Sequence, residues 1–319
     1  MKAAIRSKYG GPDVLSIAQL PIPVPGKNEV LIKVKVATVN RTDCAILTAK
    51  PFIMRLFTGL LKPKLPSTGT DFAGIIEAVG KGVSNFATGD RVWGFHDNGL
   101  GSHSEYMVLN VRKPIVKMPE GVSFIDAAAS AEGSHYALNF LNKVSIHSDH
   151  RVLVNGATGA IGSAMVQLLK KDGVYVTATA DTDSIDKIKR IGADRVIDYL
   201  KEDFTRDHQE YDFILDTVGK STFEKCRPIM NKKAVYISSE LGPNMQNPIL
   251  ALTTKNKDHR VVFPVPTDIP HSMSTMNTLL EAGKFHPLID RRYRLDDIKE
   301  AFNYVESGEK KGNVIIVMD

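Results

Sequence analysis

The stretch that most limits what this chain can fold into is RVLVNGATGAIGSAMVQLLKKDG, from Arg151 to Gly173. Val152, Leu153 and Val154 form an apolar run of the length of a buried strand. The chain then turns through Gly156, Gly159 and Gly162, and Ala160, Ile161, Ala164, Met165, Leu168 and Leu169 recur at helical spacing. Asn155-Gly156 alone would mark a hairpin, but a helix follows it, not an alternating strand. Strand, glycine turn and helix together cradle a dinucleotide pyrophosphate. The glycines let the backbone approach the phosphates, and the free N–H groups at the helix start face the negative charge. The spacing is G-x-x-G-x-x-G, with Ala157 where the usual G-x-G-x-x-G would open. The residues expected to hold the nucleotide are therefore Gly156, Ala157, Thr158, Gly159, Ala160, Ile161 and Gly162.

At 319 residues, 43% of them hydrophobic and 24% charged, the chain has room for two soluble domains, each with its own core. The net charge of +5 is carried by dispersed Lys and Arg, which argues against a nucleic-acid footprint. Cys44 and Cys226 cannot build a disulfide framework and point to a reducing compartment. The opening MKAAIRSKYGGPDVL has no signal-peptide core, and no apolar run reaches spanning length. A cytoplasmic protein with no membrane partner is expected.

Residues 1 to about 120 read as β-rich. Pro21, Pro23 and Pro25 keep 20–26 out of any central strand. In 28–40, Val30, Ile32, Val34 and Val36 alternate with Leu31, Lys33, Lys35 and Ala37, as in a strand with one buried face. Further strands are expected at 72–79, 90–95 and 105–109, with glycine-containing turns between them, as in a small barrel or sandwich. The apolar segment 51–63 reads as a core helix or a lid over a hydrophobic pocket. A helix is expected over 126–141. Beyond the glycine unit, strands at 174–180, 195–199, 212–216 and 234–238 alternate with helices at 183–191 and 222–230, which predicts a parallel sheet. A helix ending at 281–283, a segment 292–295, a helix over 295–307 and a strand 314–317 complete the chain.

Six stretches carry a resemblance through nearly the full length: VATVNRTD, GTDFAGIIEAVGKGVSNFATGDRVWGF, VLVNGATGAIGSAMVQLLK, GADRVIDY, FILDTVG and EAGKFHPLIDRRYRLDDIKEAFNYVESGEKKGNVII. The chain resembles the medium-chain dehydrogenase/reductase superfamily in its zinc-independent quinone oxidoreductase branch. That resemblance implies an α/β chain with a Rossmann doubly wound parallel sheet and a GroES-like β-barrel-type catalytic domain. It places the catalytic domain at 1–122, completed by 268–319, with the Rossmann domain inserted at 123–267 and the active site in the cleft between them. It also implies a homodimer joined through the Rossmann sheets.

Zinc-dependent members of that superfamily have a cysteine where this chain has Asn40, and their G-H-E motif falls on Gly69-Thr70-Asp71. The four-cysteine run of a structural zinc is missing. A catalytic zinc needs three Cys, His or carboxylate ligands, so no metal is expected. Nothing in the spacing requires an unrelated site from Cys44 with His96 or His103. NAD(P)H is the coenzyme expected. At the end of the second Rossmann strand Asp181, with Asp183 and Ser184 behind it, suits ribose hydroxyls. A 2′-phosphate there would meet repulsion of about 4 kcal/mol per charge pair at 4 Å and an effective dielectric near 20. That argues for NADH. Tyr199, matching a tyrosine beside the adenosine phosphate in related reductases, and Lys187 argue the other way, and Asp181 has a second reading as a helix N-cap.

Asn40 matches a family asparagine near the nicotinamide and is expected to donate its amide to a carbonyl oxygen or the ring carboxamide, unless it serves a turn. Asp43 is expected to fix Asn40 or Arg41. His135 stands where relatives often have a threonine touching the nicotinamide, as a donor or proton source, or else as a structural histidine. Phe52, Phe57, Trp93 and Phe95 are either an apolar wall for a flat acceptor or core. The function expected is hydride transfer from NAD(P)H to a quinone or an α,β-unsaturated carbonyl. The alternatives are an alcohol dehydrogenase with an atypical zinc site and a non-catalytic NAD(P)H-binding sensor or structural protein.

Overall fold

The computed structural model describes residues 1–319 except Ile53 and Asp319, and, within its helix, the side chain of Phe57. The chain forms two compact units, Met1–Glu132 with Ile269–Asp319, and Gly133–Asp268. The sequence placed the first boundary after residue 122. It lies later because the helix Phe124–Ala129 packs on the strands Glu29–Val39 and Asp71–Val79 of the first unit.

The first unit is built on the eleven-residue strand Glu29–Val39. One of its edges pairs antiparallel with Asp71–Val79. Its other edge is shared: Glu29–Lys33 pair with Tyr106–Asn110, and Val36–Val39 pair with Asn313–Val317. The strand thus serves two neighbours on one edge and one on the other. The sheet continues through Arg91–Phe95 to Ile115–Lys117 on one side and to Ile289–Arg294 on the other. Val30, Ile32, Val34, Phe72, Ile76 and Val92 form one buried cluster with Ile298, Ala301, Phe302 and Val305 of the helix Ile298–Ser307. The tail of the chain thus completes the core begun at its head. Leu31 and Ala37, read as the exposed side of their strand, are buried too.

The second unit is a six-stranded sheet with every neighbouring pair parallel. Its order is Arg195–Asp198, Tyr175–Ala180, Arg151–Asn155, Tyr211–Asp216, Met230–Ser238, Arg260–Val262. In chain order that is 3-2-1-4-5-6, the doubly wound arrangement. Val152, Leu153 and Val154 have no accessible surface, as continuous apolar runs of parallel sheets require.

Two expectations are corrected. The helix over 126–141 is two helices, Phe124–Ala129 and Glu132–Leu141. Ser130 lies between them as the C-cap of the first, at φ −89° and ψ 1°, with its hydroxyl on the Asp126 carbonyl at 2.6 Å. The segment 51–63 is not a core helix. Its described residues hold only the short helix Met54–Thr58, and Phe52, Leu56, Leu60 and Leu61 are exposed. The edge strand Arg260–Val262 and the helix Gln246–Thr253 had no pattern strong enough to be expected.

Candidate functional site

The glycine turn lies at the carboxyl end of Arg151–Asn155, beside Tyr211–Asp216, where the strand order reverses. This is the switch point at which open parallel sheets bind ligands. Gly156 has φ +85°, and a first side-chain carbon there would come 2.8 Å from Cβ of Val218. At Gly162 such a carbon would sit 2.2 Å from the Gly156 carbonyl oxygen, so the helix Ala160–Lys171 can close on the turn only with glycine there. Gly159 caps this helix without any side-chain hydrogen bond. The first-turn N–H groups of Ala160, Ile161 and Gly162 therefore have no partner within the helix. They form a cradle for an anion. Ala157, in the place of a glycine, is buried and donates its N–H to the Thr179 carbonyl at 3.2 Å.

A buried network that sequence reasoning missed holds the turn from below. Asn155 Nδ2 donates to Asp216 Oδ1 at 3.0 Å, and Thr179 Oγ1 donates to Asn155 Oδ1 at 2.8 Å. Gly156 N donates to Thr179 Oγ1 at 2.9 Å. Asp216 also accepts from Gly219 N at 3.0 Å and from the Tyr236 hydroxyl at 2.8 Å. Burial pushes its carboxyl above the usual range, against the pull of these donors. The available signal was a polar residue at the carboxyl end of each of four parallel strands.

Asp181, just beyond Tyr175–Ala180, is buried and accepts from the Ser184 hydroxyl at 2.9 Å. It opens the 3-10 turn Thr182–Ser184 but makes no side-chain cap bond to it. Asp198, at the same end of the neighbouring strand, is held below its usual pKa chiefly by the Thr182 hydroxyl, which donates to it at 2.5 Å. Tyr199 follows it and is half exposed.

In the first unit, Asn40 and Asp43 meet as a capping box at the start of the helix Arg41–Thr48. Asn40 Oδ1 accepts from Asp43 N at 2.9 Å, and Asp43 Oδ2 accepts from Asn40 N at 3.0 Å. The remaining amide of Asn40 donates to Thr70 Oγ1 at 3.0 Å. Both side chains are buried, and Asp43 Oδ1 has no hydrogen-bond partner among the described residues. Burial, then the neighbouring Asp71, drives the Asp43 carboxyl well above its usual range. Asp71 accepts from Thr38 N at 2.7 Å and Thr38 Oγ1 at 2.5 Å, yet burial pushes it up to about 8. Glu132, another acid the sequence did not mark, accepts from Thr42 Oγ1 at 2.7 Å and is likewise raised by burial.

Of the other expected site residues, Phe95 pairs opposite Asp71 on the neighbouring strand. His135 belongs to the second unit, buried on the helix Glu132–Leu141 with Nε2 3.2 Å from Asn139 Nδ2. Trp93 and Phe95 have no accessible surface, and Trp93 Nε1 donates to Asn277 Oδ1 at 3.0 Å. With nothing to present to a bound molecule, they fit the core reading of these two aromatics. Phe52 is exposed, and the side chain of Phe57 lies outside the described residues. His103 Nε2 donates to the Thr38 carbonyl at 2.8 Å, which leaves Nδ1 to accept from Thr68 Oγ1 at 2.8 Å. Burial lowers its pKa to about 4, so it is a neutral, satisfied core histidine. Burial raises the Cys44 thiol far above its usual value, against thiolate ligation. Among the described residues no three His, Cys, Asp or Glu side chains are grouped so as to hold a metal ion.

A glycine turn at the switch point of a 3-2-1-4-5-6 sheet, in a chain whose other unit is a mainly antiparallel sheet, defines a two-unit, dinucleotide-binding oxidoreductase. Comparison with known proteins gives the same class. The family described as "Alcohol dehydrogenase GroES-like domain" matches residues 26–120, and that described as "Zinc-binding dehydrogenase" matches 191–316. The chain is 31% identical to the 2-methylene-furan-3-one reductase of Solanum lycopersicum, over 99% of this chain and 79% of that protein. It is 29% identical to the chloroplastic NADPH-dependent alkenal/one oxidoreductase of Arabidopsis thaliana, again over 99% and 79%. The solved quinone oxidoreductase of Coxiella burnetii superposes with a TM-score of 0.84 at 25% identity, over 100% of this chain and 99% of that one. The chain belongs to the medium-chain dehydrogenase/reductase superfamily, in its quinone oxidoreductase branch.

Proposed function

We propose that this protein is an NAD(P)H-dependent, zinc-independent reductase of quinones or α,β-unsaturated carbonyls. The observation that carries the reading is the uncapped helix start at Gly159, beside a turn that only glycine can make at Gly156 and Gly162. Bound there, the coenzyme would supply the hydride. The names of the relatives, reductases of a furanone, of alkenals and alkenones, and of quinones, support the acceptor class. The turn network based on Asp216 fixes the amides that would receive the diphosphate. Asn40 and Asp43 spend their hydrogen bonds on each other and on Thr70, so a positioning role at the head of Arg41–Thr48 fits them better than proton transfer. His135, buried beside Asn139, is read the same way. The zinc of the matched family's description has no fitting ligand set here, since Asn40, Thr70 and Asp71 are bound to one another and His103 is fully used.

The coenzyme reading favours NADH. Two carboxylates, Asp181 and Asp198, stand at the strand ends where the ribose would lie, and a 2′-phosphate would be repelled by both. Asp181→Ser is expected to shift relative affinity toward NADPH by about tenfold or more, a change of about 1.4 kcal/mol. Fluorescence titration of both coenzymes on wild type and variant measures it, and an unchanged ratio overturns the assignment. A homodimer is proposed on the open edge of Arg260–Val262, where Met245, Ile249, Leu252 and Val265 are exposed close by in the chain. Among the described residues no helix is long and apolar enough to cross a membrane. The two unpaired cysteines support a reducing, cytoplasmic setting.

A further inference from the structure

Residues 44–70 contain no aspartate or glutamate but carry Lys50, Arg55, Lys62 and Lys64. The same stretch exposes Phe52 (67%), Leu56, Leu60, Leu61 (89%) and Leu65. It is a built feature. Lys64 N donates to the Thr58 carbonyl at 2.8 Å and closes a turn on the end of the helix Met54–Thr58. Gly59 sits at φ +124°, where a side-chain carbon would fall 2.1 Å from the Lys62 carbonyl oxygen. The Tyr9 hydroxyl donates to the Gly59 carbonyl at 2.6 Å, and the Arg55 guanidinium lies 5.0 Å from the Tyr9 ring and 5.1 Å from that of Phe52. The result is a braced tongue, apolar at Leu60 and Leu61 and basic immediately behind them.

We propose that this tongue docks the protein on an anionic lipid surface. Leu60 and Leu61 enter the headgroup–acyl boundary, and Lys62 and Lys64 meet the lipid phosphates. An exposed apolar patch of this kind marks an interaction site, and its charge selects the occupant. A second copy seated symmetrically on the same patch would bring Arg55 and Lys62 against their own counterparts, and the stretch itself holds no acid. An acidic lipid leaflet supplies the opposite charge. The association is peripheral and stands independently of the coenzyme reading.

Co-sedimentation of the full chain with vesicles tests it, using phosphatidylcholine alone and phosphatidylcholine with phosphatidylserine. Wild type is expected to sediment with the serine-containing vesicles, to be released by salt, and to stay in the supernatant with the neutral ones. Lys62→Glu with Lys64→Glu should reduce partitioning by about tenfold or more, at roughly 1 kcal/mol for each basic residue lost. Leu60→Asp with Leu61→Asp should abolish it. Both variants should retain wild-type thermal unfolding, since the four side chains are exposed. Wild type left in the supernatant with anionic vesicles overturns the proposal, as do variants that bind like wild type. Velocity sedimentation without lipid adds a third arm: a wild-type oligomer that Leu60→Asp with Leu61→Asp dissociates would assign the tongue to a second copy and also overturn it.

Discussion

Burial sets the chemistry of individual side chains here more than their identity does. Asp43, Asp71, Glu132 and Asp216 are all acids whose proton is held more tightly because their surroundings exclude water. For Asp71 the pKa rises from 3.8 to about 8, so between those limits the folded chain keeps a proton that the unfolded chain has released. Stability therefore falls as pH rises through this window. Asp71→Asn, which cannot ionise and retains an acceptor for Thr38 N, is expected to flatten that decline and to melt higher than wild type near pH 8. Melting curves across pH check it, and a variant that declines as steeply as wild type contradicts it. None of this was legible in the sequence. Asp71 stood there only as the last position of a missing zinc motif, and its burial depends on a strand pairing that brings Thr38 to it across 33 residues.

At the scale of elements, legibility followed how local the determining interactions are. The strand–turn–helix of 151–173 was readable because one apolar run, three glycines and one helical period fix it within 23 residues. The parallel strands followed from their apolar runs. What failed depended on partners distant in sequence or on single side chains. The 126–141 pattern is continuous as an apolar face, but the first helix ends at Ser130. The apolar segment 51–63 looked like core, yet Phe52, Leu56, Leu60 and Leu61 are exposed. The clearest element-scale test is Gly162→Ala, because the extra carbon forces Ala160–Lys171 off the Gly156 carbonyl. Overpacking of this kind costs about 1–3 kcal/mol of stability. Displacing the first turn should also weaken NAD(P)H binding about tenfold or more, since a hydrogen bond to a charged group contributes about 1.5–3 kcal/mol. Wild-type affinity in this variant, measured by fluorescence titration, would separate the turn from the coenzyme.

At the scale of the whole molecule, the chain leaves its first unit at Glu132, builds a complete doubly wound sheet, and returns at Ile269 to finish the sheet it began. Asn313–Val317 pair with Val36–Val39, so the last strand belongs to the sheet of the first unit. The nucleotide cradle and the Asn40–Asp71 cluster are carried by different units. Coenzyme binding alone is shared by a reductase and by a silent sensor. The most direct test is therefore steady-state oxidation of NADH and NADPH by the purified, metal-free protein with a panel of quinones and α,β-unsaturated carbonyls, followed by nicotinamide absorbance. The account predicts saturable turnover with at least one acceptor and no dependence on added zinc. Tight coenzyme binding with no oxidation by any acceptor, or activity that appears only with zinc, would contradict it.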